Sequence, residues 1–262
     1  MEIIDSHCHL DDFFNGGEIT EVLDRAERAS VGRMIAVGTH FDDWQFYEKF
    51  VKNRGNIFYT VGLHPLLAAN ASDIGKLPGF LESDTKPVAI GEIGLDYHRL
   101  SSEVGTRGGE IETQKNLFAE QLKFAKNCGL PVVIHSRQAF DDTLEILVNS
   151  GIPGEKIVFH CFDYGTREME RLVDFGAFTS FSGTLTYKKG LAGPLKIANP
   201  GKILVETDCP FLTPERHKPR RNEPAYIRAT VERAAEILAM GESDFSALTC
   251  ENTENFFALP RR

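Results

Sequence analysis

The sequence predicts an α/β fold, a (β/α)8 barrel of the TIM type, and three observations carry that expectation. Short apolar, β-branched runs recur eight times along 262 residues, each followed by a turn or polar loop and a stretch of helical period. Eight βα units in a chain of this length match the barrel in number and size. The first run leads into "DSHCHL", whereas a doubly wound open sheet has fewer strands and a glycine-rich phosphate turn after the first one.

The expected strands, in order, are "EII" near residue 3, "RMIAVG" at 33–38, "IFYTVG" at 57–62 and "PVAIGE" at 87–92. They continue with "PVVIHS" at 131–136, "KIVFHC" at 156–161, "AFTSFS" at 177–182 and "KILVET" at 202–207. Between them lie amphipathic segments such as "EITEVLDRAERAS" and "TQKNLFAEQLKFAKNCG". In the second, Leu117, Phe118, Gln121, Leu122 and Ala125 form a stripe, and Gly129 is a C-terminal stop. A last helical stretch, "SDFSALTCENTENFFAL", closes the chain. The segment 96–112, rich in Gly and Ser, reads as a long mobile loop after the fourth strand. No repeat or linker divides residues 1–262, so one barrel domain is expected.

A formal net charge of -9 argues against non-specific coating of nucleic acid, which needs a basic face. Only "ERHKPRR", with Arg216, Lys218, Arg220 and Arg221, forms a basic patch. No window approaches the roughly 18 to 20 apolar residues of a membrane span, and the first thirty residues lack the pattern of a secretory signal. Five cysteines without a Cys-x-x-Cys pair suit free thiols in a reducing compartment. A cytoplasmic protein without a membrane partner or an evident obligate protein partner is the expectation.

Catalytic groups of such barrels sit at the C-terminal ends of the strands. All eight histidines fall there. His7 and His9 end strand one, His40 and His64 follow strands two and three, and His98 lies in the loop after strand four. His135 and His160 end strands five and six, and His217 lies in the loop after strand eight. Glu92 closes strand four and Asp208 strand eight. Side chains alternate along a strand, so His7 and His9 share a face while Cys8 takes the other. Cys161 and Cys209 are likewise set opposite to His160 and Asp208, as packing groups; a thiolate ligand is the alternative. The inward set is His7, His9, Glu92, His135, His160 and Asp208. Four imidazoles and two carboxylates exceed the needs of one tetrahedral ion and suit two divalent ions about 3.5–4 Å apart, bridged by a carboxylate. Asp5, on the same face as His7, is a candidate to fix an imidazole tautomer.

These residues resemble the TatD family of metal-dependent deoxyribonucleases, within the amidohydrolase-like barrels. "DSHCHL", "GLHP", "GEIGLDYHR", "Q...F..QL", "PVVIHSR", "HCF", "SFSG", "ETDCPFLTP" and "RNEPAYI" occur in the family's order along the whole chain. The resemblance implies that His7, His9, Glu92 and Asp208 bind one ion and Glu92, His135 and His160 the second. It implies hydrolysis of DNA phosphodiester bonds, in single strands or at strand ends, by a water that the ions activate and Asp208 orients or deprotonates. His64 would contact the scissile phosphate, or simply cap the turn before Pro65. Arg137 could clamp the phosphate, or pair with Asp142 or Glu223. Arg221 and Asn222 lie in the basic loop, where Arg221 could draw in the strand or pair with Glu223.

The ligand types admit Mg, Mn, Co or Zn; four histidines lean toward zinc or cobalt, the family toward magnesium. Two positions depart from the family pattern, Asp163–Tyr164 after "HCF" and Leu66 after "HP", and both bear on substrate preference. The competing functions are an esterase, amidase or phosphoesterase for small molecules on the same metals, and a binding scaffold without catalysis. Glu92, with no lysine nearby, stands where many amidohydrolases carry a carbamylated bridging lysine.

Overall fold

The computed structural model describes residues 2–261. Its strands are β1 (Ile3–Cys8), β2 (Val31–Gly38), β3 (Ile57–Val61), β4 (Ala89–Asp96), β5 (Val132–Arg137), β6 (Ile157–Phe159), β7 (Phe178–Phe181) and β8 (Ile203–Val205). They form one sheet in the order β1 to β8, each pair parallel. The ring closes where the last strand meets the first. The Asp208 N–H donates to His7 O at 2.9 Å and the His9 N–H to Cys209 O at 2.8 Å. The expected barrel is therefore present, and its seam passes through three candidate ligands.

Alternation explains how one sheet serves both stability and a site. Along β5, and along β6 and β8 with the residue just past each, the inward residues run from apolar to polar: Val133 to His135, Val158 to His160, and Leu204 to Glu206. Val133, Val158 and Leu204 join Ile35, Ala89 and Phe178 in a cluster packed against Phe256, Phe257 and Leu259. The helix Glu242–Phe257 thus plugs the N-terminal end of the barrel and leaves the polar side chains at the other end. Outward residues such as Ile134, Ile157 and Val205 belong to a second, larger core shared with the surrounding helices, to which Leu117, Phe118, Leu122 and Ala125 contribute, all buried.

The long loop expected at 96–112 is mostly helix. The helix Val104–Cys128 is 25 residues long and ends at Gly129, whose φ of 73° permits the left-handed cap that returns its N–H to Ala125 O. Tertiary contacts hold its first turns despite Gly108 and Gly109. Arg107 donates to Tyr97 O at 3.0 Å, and Glu110 accepts from the Ser101 N–H at 2.8 Å. Among the described residues no helix is long and apolar enough to cross a membrane, and all five cysteines are free thiols.

Candidate metal centre

Glu92 is the hub of the polar end. His135 Nδ1 lies 2.6 Å and His160 Nε2 2.7 Å from its Oε1, and His64 Nε2 lies 3.6 Å from the same oxygen. His7 Nε2 lies 3.5 Å and His9 Nε2 4.0 Å from Oε2. Asp208 Oδ1 faces the same two imidazoles, at 3.6 Å from His7 and 3.4 Å from His9. The backbone at Gly91 and Gly94, on either side of Glu92, admits no side chain. A Cβ on Gly91 (φ 157°) would meet Val133 Cβ at 2.6 Å, and one on Gly94 (φ 142°) would meet His135 O at 2.0 Å. Close approach of β4 to β5 is what brings Glu92 and His135 together.

The order of charge in the cluster follows from burial and neighbours. Burial alone would raise the Glu92 carboxyl, but the charge of His160 and the hydrogen bonds of His135 and His160 hold it well below the usual range. Asp208 is likewise kept low against burial by the hydrogen bond from His9 and the charge of His160. Burial opposes a charge on His9, yet Asp208 and Glu92 outweigh it and lift that imidazole to about 10. His7 is driven down by burial and by His160, and His64 by burial to about 3.

Three details differ from the expectations. β8 ends at Val205, so Asp208 sits in a turn with φ 53°, not on the strand. β6 ends at Phe159, and Cys161 has φ 43°; this turn breaks the alternation and brings Cys161 into the lining of the cavity, whereas Cys8 and Cys209 are buried as packing groups. Asp5 touches no imidazole. It accepts from Thr207 N–H at 2.9 Å, Thr207 Oγ1 at 2.5 Å and the His7 backbone N–H at 3.3 Å. The tautomer of His9 is fixed instead by the Val37 carbonyl, 3.1 Å from Nδ1.

Several functional residues were missed in the sequence. Asp96 Oδ2 lies 3.2 Å from His135 Nε2, and its Oδ1 accepts from the N–H groups of His98 and Arg99. Glu206 Oε1 lies 3.4 Å from His160 Nδ1. Both acids are two or four residues along the strand from an expected ligand, so the alternation that pairs His7 with His9 could have found them. Gln114 and Gln121, two turns apart on the helix Val104–Cys128, each hold one backbone residue at two points. Gln121 accepts from Leu63 N–H (2.7 Å) and donates to Leu63 O (3.0 Å), next to His64. Gln114 does the same for Asp96, at 2.9 and 3.1 Å.

A cavity of about 740 Å³ opens over this cluster, lined by His9, His40, His64, Glu92, His135, His160 and Asp208 among others. Arg99 and Arg137 also line it. Asp142 is taken by Lys115 and Tyr97, and Glu223 by Arg25, so Arg137 pairs with neither. The two departures from the family pattern, Leu66 and Asp163, lie in the lining, and Lys188 pairs with Asp163 at 2.6 Å. Arg221 lies outside it: its guanidinium covers the Phe13 ring at 4.3 Å and pairs with Asp12 and Glu18. Asn222 is buried and donates to Thr207 O and Phe211 O, bracing the turn that carries Asp208. His98 and His217 lie outside the lining, the latter stacked on Tyr226 at 3.9 Å.

The donor set fits divalent cations. His7 is fully buried, yet neither of its ring nitrogens has a hydrogen-bond partner, and its Nε2 faces two carboxylates at distances too long for hydrogen bonds. His7, His9 and Asp208 each offer an atom within 4.8 Å of the others, as do His64, Glu92 and His135. Residues 4–258 match the family described as "TatD related DNase". The chain belongs to the TatD family. A relative in Bacillus subtilis, "Uncharacterized metal-dependent hydrolase YabD", is 31% identical over 98% of this chain and 99% of its own. A Buchnera aphidicola relative of like name is 32% identical over 99% and 97%. The crystal structure of the TatD homologue YJJV from Escherichia coli superposes with a TM-score of 0.89 at 28% identity, covering 98% of both chains. All eight expected strands of the TatD barrel are thus present.

Proposed function

We propose that this TatD-family hydrolase cleaves DNA phosphodiester bonds with two divalent ions, as one barrel domain of the cytoplasm. The observation that carries the reading is Glu92, whose two carboxylate oxygens face different imidazoles. Oε2 faces His7 and His9, which also face Asp208; Oε1 faces His135 and His160. His7, His9, Asp208 and Glu92 would hold one ion, and Glu92, His135 and His160 the other. When bound, the ions supply Lewis acidity toward the phosphate oxygens and acidify a water.

The protein's own groups complete the chemistry. Asp208, at the rim of the cluster and ionised, takes the proton of the attacking water and orients its lone pair. His64 is held neutral, and its Nδ1 accepts from the Leu66 N–H at 3.1 Å. The proton therefore resides on Nε2, the nitrogen that faces the cluster, which makes His64 a donor to a phosphate oxygen and a poor cation ligand. Arg137 adds a guanidinium able to grip a phosphate at two points. The family description supports DNA as the substrate.

Purified protein assayed on single-stranded DNA beside lactone, dihydropyrimidine and aryl phosphate panels tests the reading. DNA cleavage lost in Asp208→Asn is the expected result; a preference for a neutral amide, or full cleavage by the variant, overturns it.

A further inference from the structure

Three buried polar atoms behind the ligand cluster stand without a hydrogen bond: His7 Nδ1, His160 Nδ1 and Glu206 Oε1. His7 and Glu206 are fully buried and His160 nearly so, and each of the three offers an atom within 4.8 Å of the other two. The His7 and His160 rings stack at 4.0 Å with 13° between their planes, and both turn Nε2 toward Glu92. Glu206 approaches from the opposite side, with His160 Nδ1 at 3.4 Å. Its other oxygen is occupied by the Ser180 hydroxyl, which fixes the carboxylate.

We propose that Glu206 is a positioning residue for both ions at once, its Oε1 receiving the Nδ1 protons of His7 and His160. The inference rests on the two-ion reading above. An imidazole that gives its Nε2 lone pair to a cation must carry its proton on Nδ1. At His9 that proton has the Val37 carbonyl. At His7 and His160 no backbone carbonyl accepts it, and a buried N–H without an acceptor is costly. Among the described residues Glu206 is the carboxylate that faces His160 Nδ1 and lies within 4.8 Å of a ring nitrogen of His7, and it donates nothing when ionised. One ring serves each ion, so a single side chain fixes a tautomer in each half of the centre. A partner of this kind also raises the basicity of the ligand nitrogen.

The test is metal binding by the intact protein, Glu206→Gln against wild type, with Zn²⁺ and Mn²⁺ in competition with a chromogenic chelator. Loss of such a partner typically lowers affinity ~10- to 100-fold, so a fall in that range at both ions, with the number of ions unchanged, is expected. In histidine ¹⁵N spectra of the zinc form, two Nδ1–H signals should shift in the variant while that of His9 stays. A variant that loses one ion outright would make Glu206 a ligand, and unchanged affinity with unmoved signals would make it a packing group; either overturns the proposal. Glu206→Asp, which keeps the charge, should bind more tightly than Glu206→Ala and serves if Gln impairs folding. These readouts do not use DNA, so they stand if the nuclease reading fails, and a wild type that cleaves DNA with Glu206→Gln unaffected refutes only this role.

Discussion

Gln121 joins the outer helix to the loop that carries His64, and its removal has a calculable effect. Both its amide groups bond to Leu63, which is fully buried. Gln121→Leu fills a similar volume, excludes water, and strands one N–H and one C=O. At ~1–3 kcal/mol for each stranded group, the loss is about 2–6 kcal/mol, a large part of the ~5–15 kcal/mol that holds a typical native protein together. Taking about 4 kcal/mol and ~3 °C per kcal/mol for a chain of this size, thermal unfolding should fall by roughly 12 °C. Gln121→Glu can make both bonds only when protonated, because the ionised carboxylate would face Leu63 O as an unpaired buried charge, so its midpoint should fall as pH rises. Calorimetric or far-UV circular dichroism melts of the metal-loaded proteins measure this. A Gln121→Leu midpoint within about 3 °C of wild type would refute the reasoning, because the two stranded groups would then have found partners at no expense.

Further outcomes follow from the same geometry. In the ion-free cluster His9 titrates near 10, and the carboxylates of Glu92 and Glu206 lift His160 and those of Asp96 and Glu92 lift His135, against burial. Groups with raised values stay protonated until higher pH, so protons compete with cations and metal affinity should fall as pH is lowered from 8 to 6. Calorimetric titrations in buffers of different ionisation enthalpy should register proton release; binding without release contradicts the assignment. Arg137→Ala should raise KM for DNA several-fold with kcat nearly kept, since its guanidinium lines the cavity without touching Glu92 or Asp208. Arg221→Ala, outside the cavity, should leave both constants within about twofold and alter stability by at most ~1 kcal/mol.

Much of the centre was legible because a barrel strand converts sequence parity into direction. His7 with His9, and His135 and His160 above Val133 and Val158, follow from that rule and lie together around Glu92. The rule fails where the chain leaves the strand. Cys161 and Asp208 adopt positive φ beyond the last ladder bonds of β6 and β8, so their directions are set by turn geometry that a period of two cannot encode. Glu206 and Asp96 were within reach of the rule, but an acid that faces the back of a histidine looks in sequence like any other acid. The glutamines and the early turns of the helix Val104–Cys128 depend on long-range bonds. Gly108 and Gly109 signal a loop, and bonds such as Arg107 to Tyr97 O and the Ser101 N–H to Glu110 reverse that signal.

The proposal that two ions share Glu92 is tested most directly by counting metal. Mass spectrometry of zinc- or manganese-loaded protein, paired with cleavage of end-labelled single-stranded DNA, should find two ions per chain in wild type. Glu92→Gln should lose tight binding of both ions together with cleavage; a variant that keeps two tightly held ions and cuts DNA at the wild-type rate would contradict it.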